Sequence, residues 1–124
     1  MMNKKQQQFS FSGRIKSIKT AISGIIIVIK EEHNAWIHII ATLLVILITS
    51  QLNITAVEVG LIIFAIGLVW TSETLNSAIE ALANEVNSEY SAGIKKTKDI
   101  AAGAVLISSL TALGIGLVVL LPKL

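Results

Sequence analysis

Three long runs without Asp, Glu, Lys or Arg dominate this sequence of 124 residues. They cover residues 35–54, 59–72 and 100–121. The first and the third have the roughly 20 residues that a helix needs to cross a bilayer. The chain is 53% hydrophobic and only 15% charged, and a small soluble domain cannot bury that much apolar surface. The sequence therefore predicts an all-α integral membrane protein.

The second run is the short one, and no Gly or Pro separates it from the polar segment that follows. At about 100° per residue, the polar side chains of that segment share one stripe of a helix: Glu73, Asn76, Ser77, Glu80 and Asn84. About 14 apolar residues make roughly 21 Å of helix, whereas the hydrocarbon core is roughly 30 Å thick. Glu73 is therefore expected within the lipid or at its edge, where a carboxylate usually faces protein and marks a functional site. The structural alternative is a long helix whose polar stripe only meets water.

The rest of the chain completes a single domain over residues 1–124. Residues 1–11 are polar and are predicted to be flexible. Ser12 is predicted to cap an amphipathic helix over residues 12–30, whose isoleucines recur at steps of three and four residues. Such a helix lies in the membrane interface, and packing on other protein is a compatible alternative. The membrane helices are predicted at 35–54, 56–84 and 99–121, the second of them extended into the cytoplasmic interface.

Lys and Arg are distributed unevenly along the chain. Six precede the first span, none lies in the first turn, three lie in the connection of residues 85–98, and Lys123 alone follows the third span. The positive-inside rule then predicts a multi-pass protein of the plasma membrane, with the N-terminus cytoplasmic and the C-terminus outside. No cleavable signal peptide is expected. The polar groups of three segments meet at the cytoplasmic boundary: Glu31 and Glu32, the stripe from Glu73 to Asn84, and Lys98 with Asp99.

Several carboxylates at one depth can hold a divalent cation that carries phosphates. The chain has no Cys and two His, and oxygen ligands favour magnesium over zinc or copper. The formal net charge of +2 is too small to indicate a nucleic-acid partner.

The sequence Glu73-x-x-Asn76-Ser77-Ala78-Ile79-Glu80 strongly resembles the signature of the prokaryotic diacylglycerol kinase and undecaprenol kinase family, which are small integral membrane lipid kinases of the bacterial inner membrane. The similarity continues downstream through Ser88-Glu89-Tyr90 and Lys98-Asp99, and upstream through Glu32, Asn34 and His38. It covers roughly residues 12–121. One departure is Asn84, which stands where many members carry Asp.

The resemblance implies a role for each matching residue. Glu73 corresponds to the general base, Asn76 positions groups beside it, and Glu32 and Glu80 hold magnesium on ATP. The nucleotide-binding positions are Glu32, Glu80, Glu89, Tyr90, Lys98 and Asp99. The lipid-substrate positions are Arg14, Ser17, Asn34, His38 and Glu73. The family also assembles as a homotrimer whose subunits share active sites.

The predicted function is ATP- and magnesium-dependent phosphorylation of a membrane lipid alcohol, with diacylglycerol giving phosphatidate as the first choice. Undecaprenol giving undecaprenyl phosphate is the alternative. A more distant alternative is a small transporter or channel subunit that uses Glu73 and Glu80 as an ion relay, and another is a non-catalytic membrane scaffold. The predicted partners are ATP, the lipid acceptor, the bilayer and two further copies of the chain.

Overall fold

The computed structural model describes residues 9–87 and 89–124, and these are helical apart from short connections. The helices are α1 (Phe11–Glu31), α2 (His33–Gln51), α3 (Ala56–Val86) and α4 (Ala92–Leu120), and a 3₁₀ turn (Leu121–Lys123) follows α4. In the described part of the chain, α2, α3 and α4 are long and apolar enough to cross a membrane. The predicted fold class is confirmed. Lys4 and Lys5, which contributed to the charge bias, and Ser88 of the family signature lie outside the described residues.

Short polar side chains define where three of the helices begin. The hydroxyl of Ser10 accepts a hydrogen bond from the amide of Gly13 at 3.0 Å, so α1 begins at Phe11. The prediction that Ser12 caps this helix was wrong, because Ser10 satisfies the first-turn amide and Ser12 lies inside the helix. The hydroxyls of Thr55 and Ser91 cap α3 and α4 in the same way. The basic residues 95–98 therefore lie in the first two turns of α4 rather than in the connection before it.

A single residue, Glu32, separates α1 from α2. Its backbone is extended, with φ −100° and ψ 122°. Its amide still donates to the carbonyl of Val28 at 3.0 Å, and its carbonyl accepts from the amide of Ala35 at 3.2 Å. The backbone is thus bonded on both sides of the break, and Glu32 occupies the N-cap position of α2.

α3 and α4 form an antiparallel hairpin, in which most of the tertiary packing lies. At one end the Nζ of Lys123 lies 3.3 Å from the Oε1 of Glu58. At the other end the Nζ of Lys98 donates to the Oδ1 of Asn84 at 2.7 Å. Between them lies a small core: Ile62, Val119 and Leu120. Because α3 has 31 residues, it is about 46 Å long and extends beyond a hydrocarbon core of roughly 30 Å.

Much apolar surface of the single chain stays exposed. The stripe of α1 is an example, since Ile18 is 60% exposed and Ile22 is 50% exposed. The glycines of α4 are another: a Cβ built at Gly103, Gly114 or Gly116 meets no atom within 4 Å. These three glycine positions are therefore not used for close helix contact within one chain and are available to lipid or to another copy, whereas Ala101 and Ser108 of α4 are buried.

Ile62→Ala is expected to destabilise the hairpin by about 2 kcal/mol, near the lower end of the range for truncation of a buried isoleucine. The effect is small because lipid tails are as apolar as the protein core, so the variant loses mainly packing contacts. Ile63→Ala is the matched control, since Ile62 is 5% exposed and Ile63 is 64% exposed. Thermal unfolding in detergent measures both variants. An equal loss of stability in the two variants would contradict the packing described for α3 and α4.

Candidate active site

Glu73 lies at the centre of the candidate site. It is the only large side chain fully buried among the described residues, with 1% of its surface exposed. α3 places it directly after the apolar run 59–72, where a carboxylate without a partner would be costly. His38 of α2 supplies that partner, because its Nε2 lies 3.0 Å from the Oε2 of Glu73. The pair joins the first spanning helix to the second.

The His38 ring is held by a second pair of side chains. Trp70, one turn before Glu73 on α3, meets the His38 ring edge-on, with the centroids 6.0 Å apart and the planes at 64°. The Nε1 of Trp70 donates to the Oγ1 of Thr42 at 3.0 Å, one turn after His38 on α2. Because each helix contributes two members of this network, the orientation of His38 is fixed from both sides.

Several buried polar atoms beside this pair lack a hydrogen bond. They include Glu73 Oε1, Asn76 Oδ1 and Ser77 Oγ, which make none within the described structure. Asn76 and Ser77 follow Glu73 by about one turn on the same face of α3, and both are buried. Buried polar groups are nearly always paired in folded proteins, so these unpaired atoms are candidates for contact with a substrate or a bound ion.

The carboxylate of Glu32 faces the same cluster. Burial raises the pKa of Glu32, and the nearby charges of Glu80, Glu73 and Glu31 raise it further. The nearby Ser77 hydroxyl lowers the pKa of Glu32 in part, although the contact does not meet both the distance and the angle of a hydrogen bond. Glu32, Glu73 and Glu80 therefore concentrate negative charge where the break between α1 and α2 meets α3.

The donor atoms of this cluster fit magnesium. No group of three His, Cys, Asp or Glu side chains forms a metal cage within the described residues. Magnesium does not need such a cage, because it is usually held by one or two carboxylates together with phosphate oxygens and water. Glu32 and Glu80 provide two carboxylates, and the unpaired amide oxygen of Asn76 lies one turn before Glu80.

The predicted nucleotide-binding residues lie beyond the cluster, toward the connection between α3 and α4. Lys98 is half-buried and bonded to Asn84, one turn after Glu80. Asp99 is exposed and pairs with Lys95 on its own helix. Tyr90 and Asp99 line a shallow groove of about 410 Å³ at the start of α4, together with Ala92, Lys95, Lys96 and Ile100. Glu89 is exposed, and its amide donates to the Oδ1 of Asn87 at 3.0 Å.

The predicted lipid-substrate residues are dispersed within one chain. Arg14 stacks over the ring of Phe9 at 5.2 Å, and Ser17 donates to the carbonyl of Gly13 at 3.0 Å. Both lie in the first half of α1, and Arg14 is about 25 Å along the helix axis from Glu32. Asn34 is exposed at the start of α2. His38 alone of these residues contacts Glu73.

An apolar groove of about 560 Å³ opens beside His38 and runs between α2, α3 and α4 as far as Leu124. Its lining is aliphatic apart from His38, Thr42 and Ser109. Apolar surface thus reaches directly to the Glu73–His38 pair, which is the environment that a lipid acceptor requires.

Sequence reasoning identified the carboxylates but not the pairing of His38 with Glu73, nor the Trp70–Thr42 bond that supports it. A usable signal was present. A carboxylate at membrane depth needs a polar partner, and His38 is the only ionisable residue in the run 35–54.

Comparison with known proteins identifies the family of this chain. The family profile described as prokaryotic diacylglycerol kinase matches residues 19–120. An undecaprenol kinase from Bacillus subtilis (strain 168) is 30% identical over 123 residues, which are 99% of this chain and 100% of that protein. A diacylglycerol kinase from Synechocystis sp. is 33% identical over 109 residues, 87% of this chain and 62% of that protein. A diacylglycerol kinase from Escherichia coli (strain K12) is 38% identical over 73 residues, 59% of this chain and 60% of that protein.

The chain belongs to the prokaryotic diacylglycerol kinase family, since the profile covers most of its length. It is a membrane lipid kinase, and as a kinase it uses ATP. The family that the residues from Glu73 to Glu80 indicate is thereby confirmed. Diacylglycerol and undecaprenol are not separated as acceptors, because relatives of both names match.

Glu32→Gln is expected to be more stable than the wild type at neutral pH, and the difference is expected to vanish in acid. The folded-state pKa of Glu32 is raised, so the wild type loses stability as the pH rises through that pKa, whereas the neutral amide does not. Thermal unfolding in detergent with a chelator, followed from acid to neutral pH, measures this. Glu85→Gln, at an exposed position of α3, is the control. The same pH dependence in both variants would refute the crowding of charge at Glu32.

Proposed function

We propose that this lipid kinase transfers the γ-phosphate of ATP, with magnesium, to the hydroxyl of a membrane lipid alcohol at the cytoplasmic face. The observation that carries the proposal is the buried carboxylate of Glu73. It binds His38 through one oxygen and makes no hydrogen bond through the other. A carboxylate oxygen kept free in an apolar environment is suited to accept the proton of an alcohol.

The chain's residues divide the reaction between two depths. Glu73 Oε1 takes the proton from the acceptor hydroxyl. In the same step the hydroxyl oxygen bonds to the γ-phosphorus, and the bond between the γ-phosphorus and the oxygen that bridges it to the β-phosphate breaks. Glu32 and Glu80 would hold the cation, and Glu80 lies about two turns nearer the cytosol than Glu73. Magnesium, when bound, neutralises charge on the phosphates. Asn76 lies between the two carboxylates of α3, where its amide positions the reacting groups.

The nucleotide is proposed to lie along the cytoplasmic ends of α3 and α4. Lys98 donates a hydrogen bond to Asn84, which follows Glu80 by one turn of α3. From this position the Lys98 ammonium group can leave Asn84 and bind a phosphate of ATP that is held at Glu80. Because Asn84 is a neutral amide, it holds Lys98 less strongly than an Asp would. Glu89, Tyr90 and Asp99 are proposed to contact the rest of the nucleotide.

Undecaprenol is the acceptor that we place first. The match to an undecaprenol kinase runs across 99% of this chain and 100% of that relative, whereas the diacylglycerol kinases are matched over 62% and 60% of their lengths. Diacylglycerol, the first choice from the sequence, is the second candidate, since the E. coli diacylglycerol kinase is 38% identical over the segment it shares.

The orientation proposed from the charge bias is a cytoplasmic N-terminus and an outer C-terminus in the inner membrane, with α1 lying in the interface. This orientation puts Glu80 and Lys98 on the side where ATP is present. Thr42 and Ser109 are the only polar residues besides His38 that line the apolar groove. Such a lining supports a lipid-binding surface rather than the polar path that an ion relay needs.

A homotrimer with shared active sites is proposed on two observations. Arg14 and the carboxylate cluster are about 25 Å apart within one chain, so Arg14 serves a site only if that site belongs to a neighbour. The open glycine positions of α4 and the exposed isoleucine stripe of α1 leave apolar surface for other copies.

Glu73→Gln is expected to lower kcat by about 10²- to 10⁴-fold, because the amide cannot accept the proton. Purified protein in mixed micelles with ATP and magnesium is assayed with undecaprenol and, separately, with diacylglycerol. Glu85→Gln, exposed on the same helix, serves as the control and keeps wild-type activity. Full activity of Glu73→Gln would remove Glu73 from the base role, and a higher kcat/KM with diacylglycerol would reverse the order of acceptors.

Mixtures of Glu73→Gln and Arg14→Ala subunits are expected to regain activity that neither variant has alone. This follows if the Glu73 and the Arg14 that serve one site come from different chains of a trimer, as the distance of about 25 Å between Arg14 and Glu32 within one chain requires. Mixing Glu73→Gln with the double variant is the control, since no combination of those chains restores both residues. Light scattering in detergent gives the subunit number. A monomer, or activity no higher than in the control mixture, would contradict shared sites.

A further inference from the structure

The pairing of His38 with Glu73 has a consequence for the reaction itself. The two side chains are 15% and 1% exposed, and their polar atoms are 3.0 Å apart. A carboxylate held in this environment is stable only if a donor satisfies it. In the described structure, His38 is the one side chain that hydrogen-bonds to Glu73.

The bond makes the two oxygens of Glu73 inequivalent. Oε2 lies 3.0 Å from His38 Nε2, and Nε2–H is the donor when Glu73 is ionised because a carboxylate only accepts, while Oε1 is buried and makes no hydrogen bond. A carboxylate that is free to rotate would present either oxygen to a substrate. Bonded through Oε2, it presents only Oε1, in one orientation, and such restriction of geometry is a large part of the advantage of an enzymatic base.

His38 is itself restrained. The edge-on contact with Trp70 and the bond from Trp70 Nε1 to Thr42 Oγ1 leave the imidazole little freedom to rotate. A residue whose task were to contact a mobile lipid would not need such support from α3. The support is what a side chain needs if it is to hold another group in place.

We infer that His38 is a positioning residue, which orients the Glu73 carboxylate so that Oε1 receives the proton of the acceptor hydroxyl. This inference rests on the proposed role of Glu73 as the base. His38 neither gains nor loses a proton in the step: its Nε2–H stays bonded to Oε2 while the proton of the alcohol moves to Oε1. The Trp70–Thr42 pair acts on Glu73 through His38.

The test compares three substitutions at position 38. His38→Leu removes the donor and is expected to lower kcat about 10- to 100-fold, as the loss of an orienting partner does elsewhere, with the KM for lipid and for ATP nearly unchanged. His38→Gln keeps an N–H close to the position of Nε2 and is expected to recover most of the activity. His38→Asn, whose amide is too short to reach Oε2, is expected to behave like His38→Leu. His33→Leu, at the chain's other and exposed histidine, is the control.

The outcomes separate this inference from the proposed function. A loss that appears only in the KM for lipid would overturn positioning and make His38 an acceptor contact. A His38→Gln variant as slow as His38→Asn would also overturn it. In a Glu73→Gln background, His38→Leu is expected to lower kcat little further, because the carboxylate that His38 orients is gone.

If Glu73→Gln is slow and His38→Leu is not, positioning fails and the base role stands. If the wild type phosphorylates neither lipid, the proposed function fails. Should His38→Leu not fold, the polar pair His38→Gln and His38→Asn decides the question alone.

Discussion

The structure depends on one constraint, which is that a carboxylate is buried in a helix made of lipid-compatible side chains. Glu73 is 1% exposed, and the fold compensates by bringing His38 from another helix to 3.0 Å. That contact joins α2 to α3 at a depth where the rest of α2 is largely exposed aliphatic surface. The polar network thus gives α2 a defined position that apolar packing, which differs little from contact with lipid, would not supply.

Charge repulsion is the second consequence of this arrangement. Burial raises the pKa of Glu32, and the nearby charges of Glu80 and Glu73 raise it further, so a site with three ionised carboxylates is less stable than a neutral one would be. In the proposed function a bound cation would offset that cost, so that the free energy lost to repulsion would be recovered in the substrate complex. Stability and function oppose each other at these three residues, as is common where a site concentrates like charges.

Periodicity and residue chemistry predicted the helices and the polar stripe of α3. The polar stripe of α3 is buried at Glu73, Asn76 and Ser77, and it emerges to solvent at Asn84, as a helix that leaves the membrane requires. Contacts between helices were harder to predict. The His38–Glu73 pair and the Trp70–Thr42 bond depend on the rotation of α2 against α3, and periodicity within one helix carries no information about that rotation. Helix ends were also hard to predict, because Ser10 and Ser12 are the same residue type and either could cap α1.

The one-residue junction at Glu32 makes the length of the chain at this point critical. Inserting or deleting a residue there would rotate α2 by about 100° relative to α1 and would carry His38 away from the face that α3 presents. The connection of residues 87–91 has no such restriction, since it joins two helices that are already held together at both ends by the Glu58–Lys123 and Asn84–Lys98 contacts. A change of length is therefore expected to be tolerated in the connection of residues 87–91 and not at Glu32.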